Sequence, residues 1–160
     1  MKDVLKVVKE FFKSRALGFW FTTAAVILSV ARLSVYIAGF TLPAWESYFH
    51  WTVVFFSVVA IAAGIALSVF DTTAPYAAAA TTLFEFLSFL MFMRYGYMYF
   101  SQIFFGGISL SLFFQMHFGY LWCILLYVAV FGIGIAGMFL KQSKKEAERQ
   151  KETVAVGGEV

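Results

Sequence analysis

Hydrophobic residues run along this chain in four long blocks separated by short polar breaks. A helix needs about 20 mostly apolar residues, rising ~1.5 Å each, to cross a ~30 Å hydrocarbon layer. Segments 16–40, 51–70, 76–100 and 118–140 meet that length. The breaks at 41–50 and 71–75 are short and carry Pro43 and Pro75. Asp71-Thr72-Thr73 offers side chains that can cap the third helix, with Pro75 in its first turn. The pattern predicts an all-α integral membrane protein, a four-helix transmembrane bundle over residues 16–140.

Three segments lie outside the spans. Residues 1–15 place Val4, Leu5, Val8, Phe11 and Phe12 on one helical face and Lys2, Lys6, Lys9 and Lys13 on the other. That pattern predicts an amphipathic helix lying in the membrane interface. The stretch 103–115 is apolar but too short to span, and it holds Gly106-Gly107. It reads either as an interfacial helix on the outer face or as a re-entrant segment, since irregular backbone at membrane depth survives only against protein or a wet cavity. Residues 141–160 form a charged tail of nearly balanced sign.

Composition sharpens this picture. The 160 residues are 62% hydrophobic and 13% charged, with a mean hydropathy of +0.83. A soluble domain carries about 25% charged residues, so an ordinary soluble enzyme and a disordered chain are both excluded. The net charge is +3, and ten of the twelve Lys and Arg residues precede position 16 or follow position 140. That partition is a topology signal and not a nucleic-acid stripe. With an even number of spans it predicts a multi-pass protein of the cell membrane with both termini cytoplasmic. The lone cysteine, Cys123, sits in an apolar run and reads as a small buried hydrophobe.

Lipid gives helices no hydrophobic reason to associate, so close backbone approach matters. Ser57, Ala60, Gly64 and Ser68 share a face of the second span, and Gly132, Gly134 and Ala136 lie together on the fourth. Both faces predict helix packing, within the chain or between chains. Trp45, Tyr48, Trp51, Tyr95, Tyr97, Tyr99, Tyr120 and Trp122 fall near the outer boundary, as an aromatic belt does.

Three ionisable residues stand inside the spans: Arg32, Glu85 and Arg94. Each costs about 2.5–3.5 kcal/mol or more at the bilayer centre unless it is paired or neutralised. Arg32 shares a stripe with Thr22, Ala25, Ser29 and Tyr36, and Glu85 shares one with Thr81, Thr82 and Ser88. Counted from the span limits, Arg32 and Glu85 are offset by ~9 Å along the bundle, which extended side chains close. Two readings stand side by side: a buried pair that fixes packing, or a site that couples protons or ions. Arg94 points roughly away from Glu85 on a straight helix. His50 and His117 stand at the outer starts of the second and fourth spans. With Arg32, Arg94 and the counterion Glu46 they make a candidate outer cluster for an anionic group. Each half then repeats arginine, loop, histidine and Gly-rich helix, a pattern that transporters share.

The sequence carries no phosphate loop, zinc-binding helix motif or nucleophile elbow, and two histidines without cysteines make a poor metal site. The expectation is therefore a non-enzyme without cofactor or metal, whose partners are the lipid bilayer, further copies of itself or other membrane subunits, and not nucleic acid. The leading expected role is a subunit that oligomerises or packs into a larger membrane complex. The alternative is a small solute or ion transporter using Glu85 and Arg32.

Overall fold

The structure is a computed structural model that describes residues 15–105 and 117–141. Four helices carry these residues: α1 Leu17–Phe40, α2 Trp51–Val69, α3 Ala74–Phe104 and α4 Phe118–Phe139. All four are long and apolar enough to cross a membrane, which makes this an all-helical chain of the multi-pass membrane type. A short 3-10 turn at Glu46–Tyr48 bridges α1 and α2. The amphipathic helix expected over 1–15, the interfacial or re-entrant segment from 106 onward, and the tail beyond Lys141 lie outside the described residues.

Four serine and threonine hydroxyls in α1 and α2 show how the helices satisfy such groups with their own backbone. Thr22 and Thr23 donate to the Gly18 and Phe19 carbonyls, and Ser34 and Ser68 donate to those of Val30 and Gly64. This i to i−4 bonding lets a polar side chain sit in an apolar setting without an orphaned group.

The third helix is longer than the hydropathy pattern indicates. It starts at Ala74 and ends at Phe104, 31 residues in all, or ~46 Å. Ser101 and Gln102 read as the start of a loop, but nothing there breaks a helix, and Ser101 simply bonds back to the Met98 carbonyl. The turn before α3 also differs from expectation. Thr73 occupies the N-cap, yet its hydroxyl donates backward to the Leu67 carbonyl at 2.9 Å instead of capping α3. Pro75 sits in the first turn of α3, where its missing N–H leaves nothing unpaired. Asp71 accepts from Arg15 at 2.8 Å, and the same guanidinium donates to the Val69 carbonyl at 2.9 Å. Arg15 therefore ties the start of α1 to the α2–α3 turn. Next to it, the Gly18 N–H donates to the Lys141 carbonyl at 2.9 Å, joining the start of α1 to the residue after α4.

The helices alternate in direction, and the most extensive seams are α1 with α4 and α2 with α3. Glycine makes these seams tight. A Cβ on Gly64 would stand 2.5 Å from Thr81 Oγ1 and 2.6 Å from Val26 Cγ2, where α1, α2 and α3 converge. A Cβ on Gly134 would collide with Thr82 Oγ1 of α3. Ser57 and Ala60 are also buried, while Ser68 and Ala136 are half-buried. Gly132 differs from the rest of its group. It is exposed on α4, with nothing within 4 Å of a Cβ placed there among the described residues. The helix pitch turns Gly132 outward, two residues from Gly134 and so about 200° around the axis.

Enlarging the contact glycines should damage the fold in proportion. Gly64→Leu and Gly134→Val should each cost about 1–3 kcal/mol through overpacking. Gly132→Ala should be neutral or stabilising by up to ~1 kcal/mol, from helix propensity alone. Equilibrium unfolding in mixed detergent micelles measures all three.

Candidate functional site

The interior of the bundle holds a polar cluster built from all four helices. Arg32 of α1 and Glu85 of α3 are both fully buried. The Arg32 Nη2 group donates to Glu85 Oε2 at 3.0 Å and to Oε1 at 3.2 Å. It also donates to Ser57 Oγ of α2 at 2.5 Å. The guanidinium lies 4.4 Å above the ring of Tyr127 from α4. Counted from the helix starts Leu17 and Ala74, Arg32 stands four residues (32 − 17 against 85 − 74) or ~6 Å further along than Glu85, which the long arginine side chain spans.

The hydroxyls form a directed chain. Tyr127 Oη and Ser88 Oγ are 2.8 Å apart, and Ser88 Oγ and Ser57 Oγ are 2.9 Å apart. Ser57 donates to the Val53 carbonyl at 2.6 Å, and Ser88 also reaches that carbonyl at 3.1 Å. With the Ser57 proton given to Val53, its lone pairs face Arg32 and Ser88. The pair thus has zero net charge, a π face beneath it and a hydroxyl network on one side. In a low-dielectric interior that is how a buried charge pair becomes tolerable. Two nitrogens of Arg32, Nε and Nη1, and the hydroxyl of Ser29 are buried and meet no partner among the described residues.

The outer cationic cluster expected from the sequence does not assemble. Arg32 is committed to Glu85. Arg94 is exposed, with its guanidinium 5.9 Å from the Tyr95 ring. The His50 ring stacks on Tyr95 at 3.6 Å, and the His117 ring stacks on Trp45 at 4.0 Å. Glu46 is exposed in the 3-10 turn. Among the described residues the ion pairs are Arg15–Asp71 and Arg32–Glu85, so Glu46 pairs with neither histidine. Among the same residues no three His, Cys, Asp or Glu side chains gather as a metal would require.

What the two histidines share is a backbone bond. The His50 N–H donates to Tyr36 Oη at 2.9 Å, and the His117 N–H donates to Tyr99 Oη at 2.6 Å. In each hairpin a tyrosine near the end of the first helix therefore receives the N–H that opens the second. The internal repeat is visible in tyrosine and histidine, not in arginine. Tyr95 lies four residues before Tyr99, as Arg32 lies four before Tyr36, while Arg94 falls one position out of register and points outward.

The aromatic belt also divides. Trp51, Tyr97 and Trp122 are exposed, as a belt requires. Tyr120 is buried, and Trp45, Tyr48 and Tyr99 close over it, with Tyr99 stacked on Tyr120 at 4.3 Å. Together with Phe40, Phe92 and Phe100 they form a packed cap at the end of the core. Tyr127 is the site residue that sequence reasoning missed. A tyrosine nine residues into a span is far from either interface, and its hydroxyl needs a partner there; that signal was present. Cys123 is buried one turn from Tyr127.

No protein-family model, curated protein or solved structure matches this chain.

Two predictions follow from this geometry. Arg32→Met or Glu85→Leu alone should cost about 3–5 kcal/mol, because each leaves a buried charge unpaired, and the double variant should recover most of that loss. A four-way unfolding cycle in detergent tests the pairing. The second concerns the histidines. Burial lowers the pKa of both His50 and His117, so the folded state holds them neutral where an unfolded chain already takes protons. His117 Nδ1 also accepts the Gly119 N–H, at 3.2 Å, and protonation removes that acceptor. Their contribution is therefore complete above the ordinary histidine value and is lost as pH falls through it. Thermal stability should drop between about pH 7.5 and about pH 5, and a His50→Phe/His117→Phe double variant should flatten the decline.

Proposed function

We propose that this chain is a non-enzymatic subunit of the cell membrane that associates with further copies of itself. Both termini face the cytoplasm in this reading, which draws on the basic residues gathered at the two ends of the chain. The observation that carries it is the uncovered face of α4 at Gly132. That glycine is exposed with open space where a side chain would stand, and half-buried Ala129 and Ala136 lie one turn to either side. Small residues at this spacing let a second helix approach to backbone contact, where dispersion and weak hydrogen bonds hold it. On α2, Ala62 and Ala66 form a comparable exposed pair.

The polar groups support the same reading. Arg32 and Glu85 are fully buried and face each other, whereas a carrier needs them beside water. An enzyme using a histidine base needs that histidine bonded to a carboxylate, and both histidines are engaged with aromatic rings instead.

The test is crosslinking in bilayers. In a Cys123→Ser background, Gly132→Cys should give covalent dimers far above those of Ile27→Cys, an exposed control on α1. Gly132→Leu should shift the protein to monomer at unchanged thermal stability. Equal crosslinking at the two positions, or dimers that survive Gly132→Leu, overturns the proposal.

A further inference from the structure

We propose that the groove between the end of α1 and the start of α4 holds one phospholipid, with a glycerol ester carbonyl accepting the His117 Nε2 hydrogen and the adjoining acyl chain lying against Ala38 and Val35. This goes beyond the assembly role and does not depend on copies associating. The groove measures about 380 Å³, far more than one water needs, and Val35, Ala38, Gly39, His117 and Gly119 are among the residues that line it. Two glycines make it possible. A Cβ on Gly39 would stand 3.2 Å from the Gly119 Cα, so α1 and α4 meet there backbone to backbone and no side chain fills the notch. Ala38 beside it is exposed.

Among the described residues lining the groove, His117 has the only polar side chain. Trp45 holds its ring by stacking at 4.0 Å. Burial lowers its pKa, so the imidazole is neutral at neutral pH. Nδ1 accepts the Gly119 N–H, which leaves the ring proton on Nε2 as a donor. That donor meets no acceptor among the described residues, and the chain does not enclose it. Cε1, the carbon bonded to it, stands 4.0 Å from a Cβ placed on Gly39, so this edge of the ring faces the glycine notch.

Depth and charge select the acceptor. α1 and α4 are ~36 Å and ~33 Å long. Centring a ~30 Å hydrocarbon layer on each puts its edge near Gly39 and Phe118. His117 then lies just outside that edge, at the level of the lipid esters, and Val35 lies ~6 Å inside it. A phospholipid presents a carbonyl at the first level and methylenes at the second. No arginine or lysine lines the groove, so one neutral donor suits an uncharged ester oxygen better than a phosphate, and headgroup charge should matter little.

The test titrates lipid into the full chain in detergent and reads bound copies by native mass spectrometry. The probes are dioleoyl phosphatidylcholine, its diether analogue, which lacks the carbonyls, and dioleoyl phosphatidylglycerol. One saturable site per chain is expected, with the ester lipid about three- to tenfold tighter than the ether and the two headgroups alike. His117→Ser keeps a cap for the Gly119 N–H, and His117→Phe keeps a ring against Trp45; both lose the Nε2 donor, and both should lose the ester preference. Ala38→Trp fills the groove and should weaken every lipid about tenfold or more, while Val30→Trp, an exposed control on α1, should not. Gly132→Leu should leave binding unchanged, which separates this site from the association of copies. Equal affinity for ester and ether in wild type overturns the proposal, as does an ester preference that survives both His117 variants. So does lipid binding that Ala38→Trp leaves intact. If the His117 variants do not fold, the wild-type comparison and Ala38→Trp decide.

Discussion

A guanidinium and a carboxylate placed in an apolar interior impose conditions on everything around them. Neither Arg32 nor Glu85 has any exposure, so the attraction between them acts at low dielectric and the loss of either partner is severe. The two residues sit on helices that are not joined by a hairpin. The remaining helices supply what the pair still needs: a serine from α2, and a ring from α4 whose hydroxyl extends the network to Ser88. The bundle is therefore tied at its centre by polar contacts that draw on all four helices. Apolar packing alone does not discriminate in this way, because one Leu- and Phe-rich face fits lipid as well as it fits another such face.

Tight glycine seams and polar ties at the ends hold that arrangement. Gly64 and Gly134 bring α2 and α4 against threonines of α3. At one end, Arg15 spans from α1 to Asp71 and Val69, and Gly18 reaches Lys141. At the other, the aromatic cap over Tyr120 and the two tyrosine-to-histidine bonds fasten each hairpin. The centre is thus fixed by charge, the flanks by close approach, and the ends by hydrogen bonds that the lipid would not supply.

The helices and their approximate limits were legible because long apolar runs and short breaks are a strong signal. The end of α3 was not, since Ser101 and Gln102 look like a break but interrupt no backbone bond. The Arg32–Glu85 pairing was legible from the cost of each charge and their depth. The two unpartnered nitrogens of the arginine were not, because sequence gives depth and face but not which nitrogen meets which oxygen. The aromatic residues misled for a related reason. Trp45 and Tyr99 fall near a helix end, and only the folded loop shows that they turn inward over Tyr120 while Tyr97 and Trp122 turn out. Arg15 with Asp71 lies beyond any local rule, at a separation of 56 residues.

The separation of 53 residues from Arg32 to Glu85 also sets an order of events during synthesis. At about 5–20 residues per second, Glu85 emerges roughly 3–10 s after Arg32. Through that interval the first helical hairpin carries an unpaired cation, and it cannot settle in lipid as a finished unit. Until the third helix brings the carboxylate, a long side chain drawn toward the headgroups is what lowers the cost of that cation. The fourth helix then enters against a pair that is already neutral. A chain cut after its first hairpin would leave that cation without its counterion and would present quality-control proteases with a charged, half-built membrane segment.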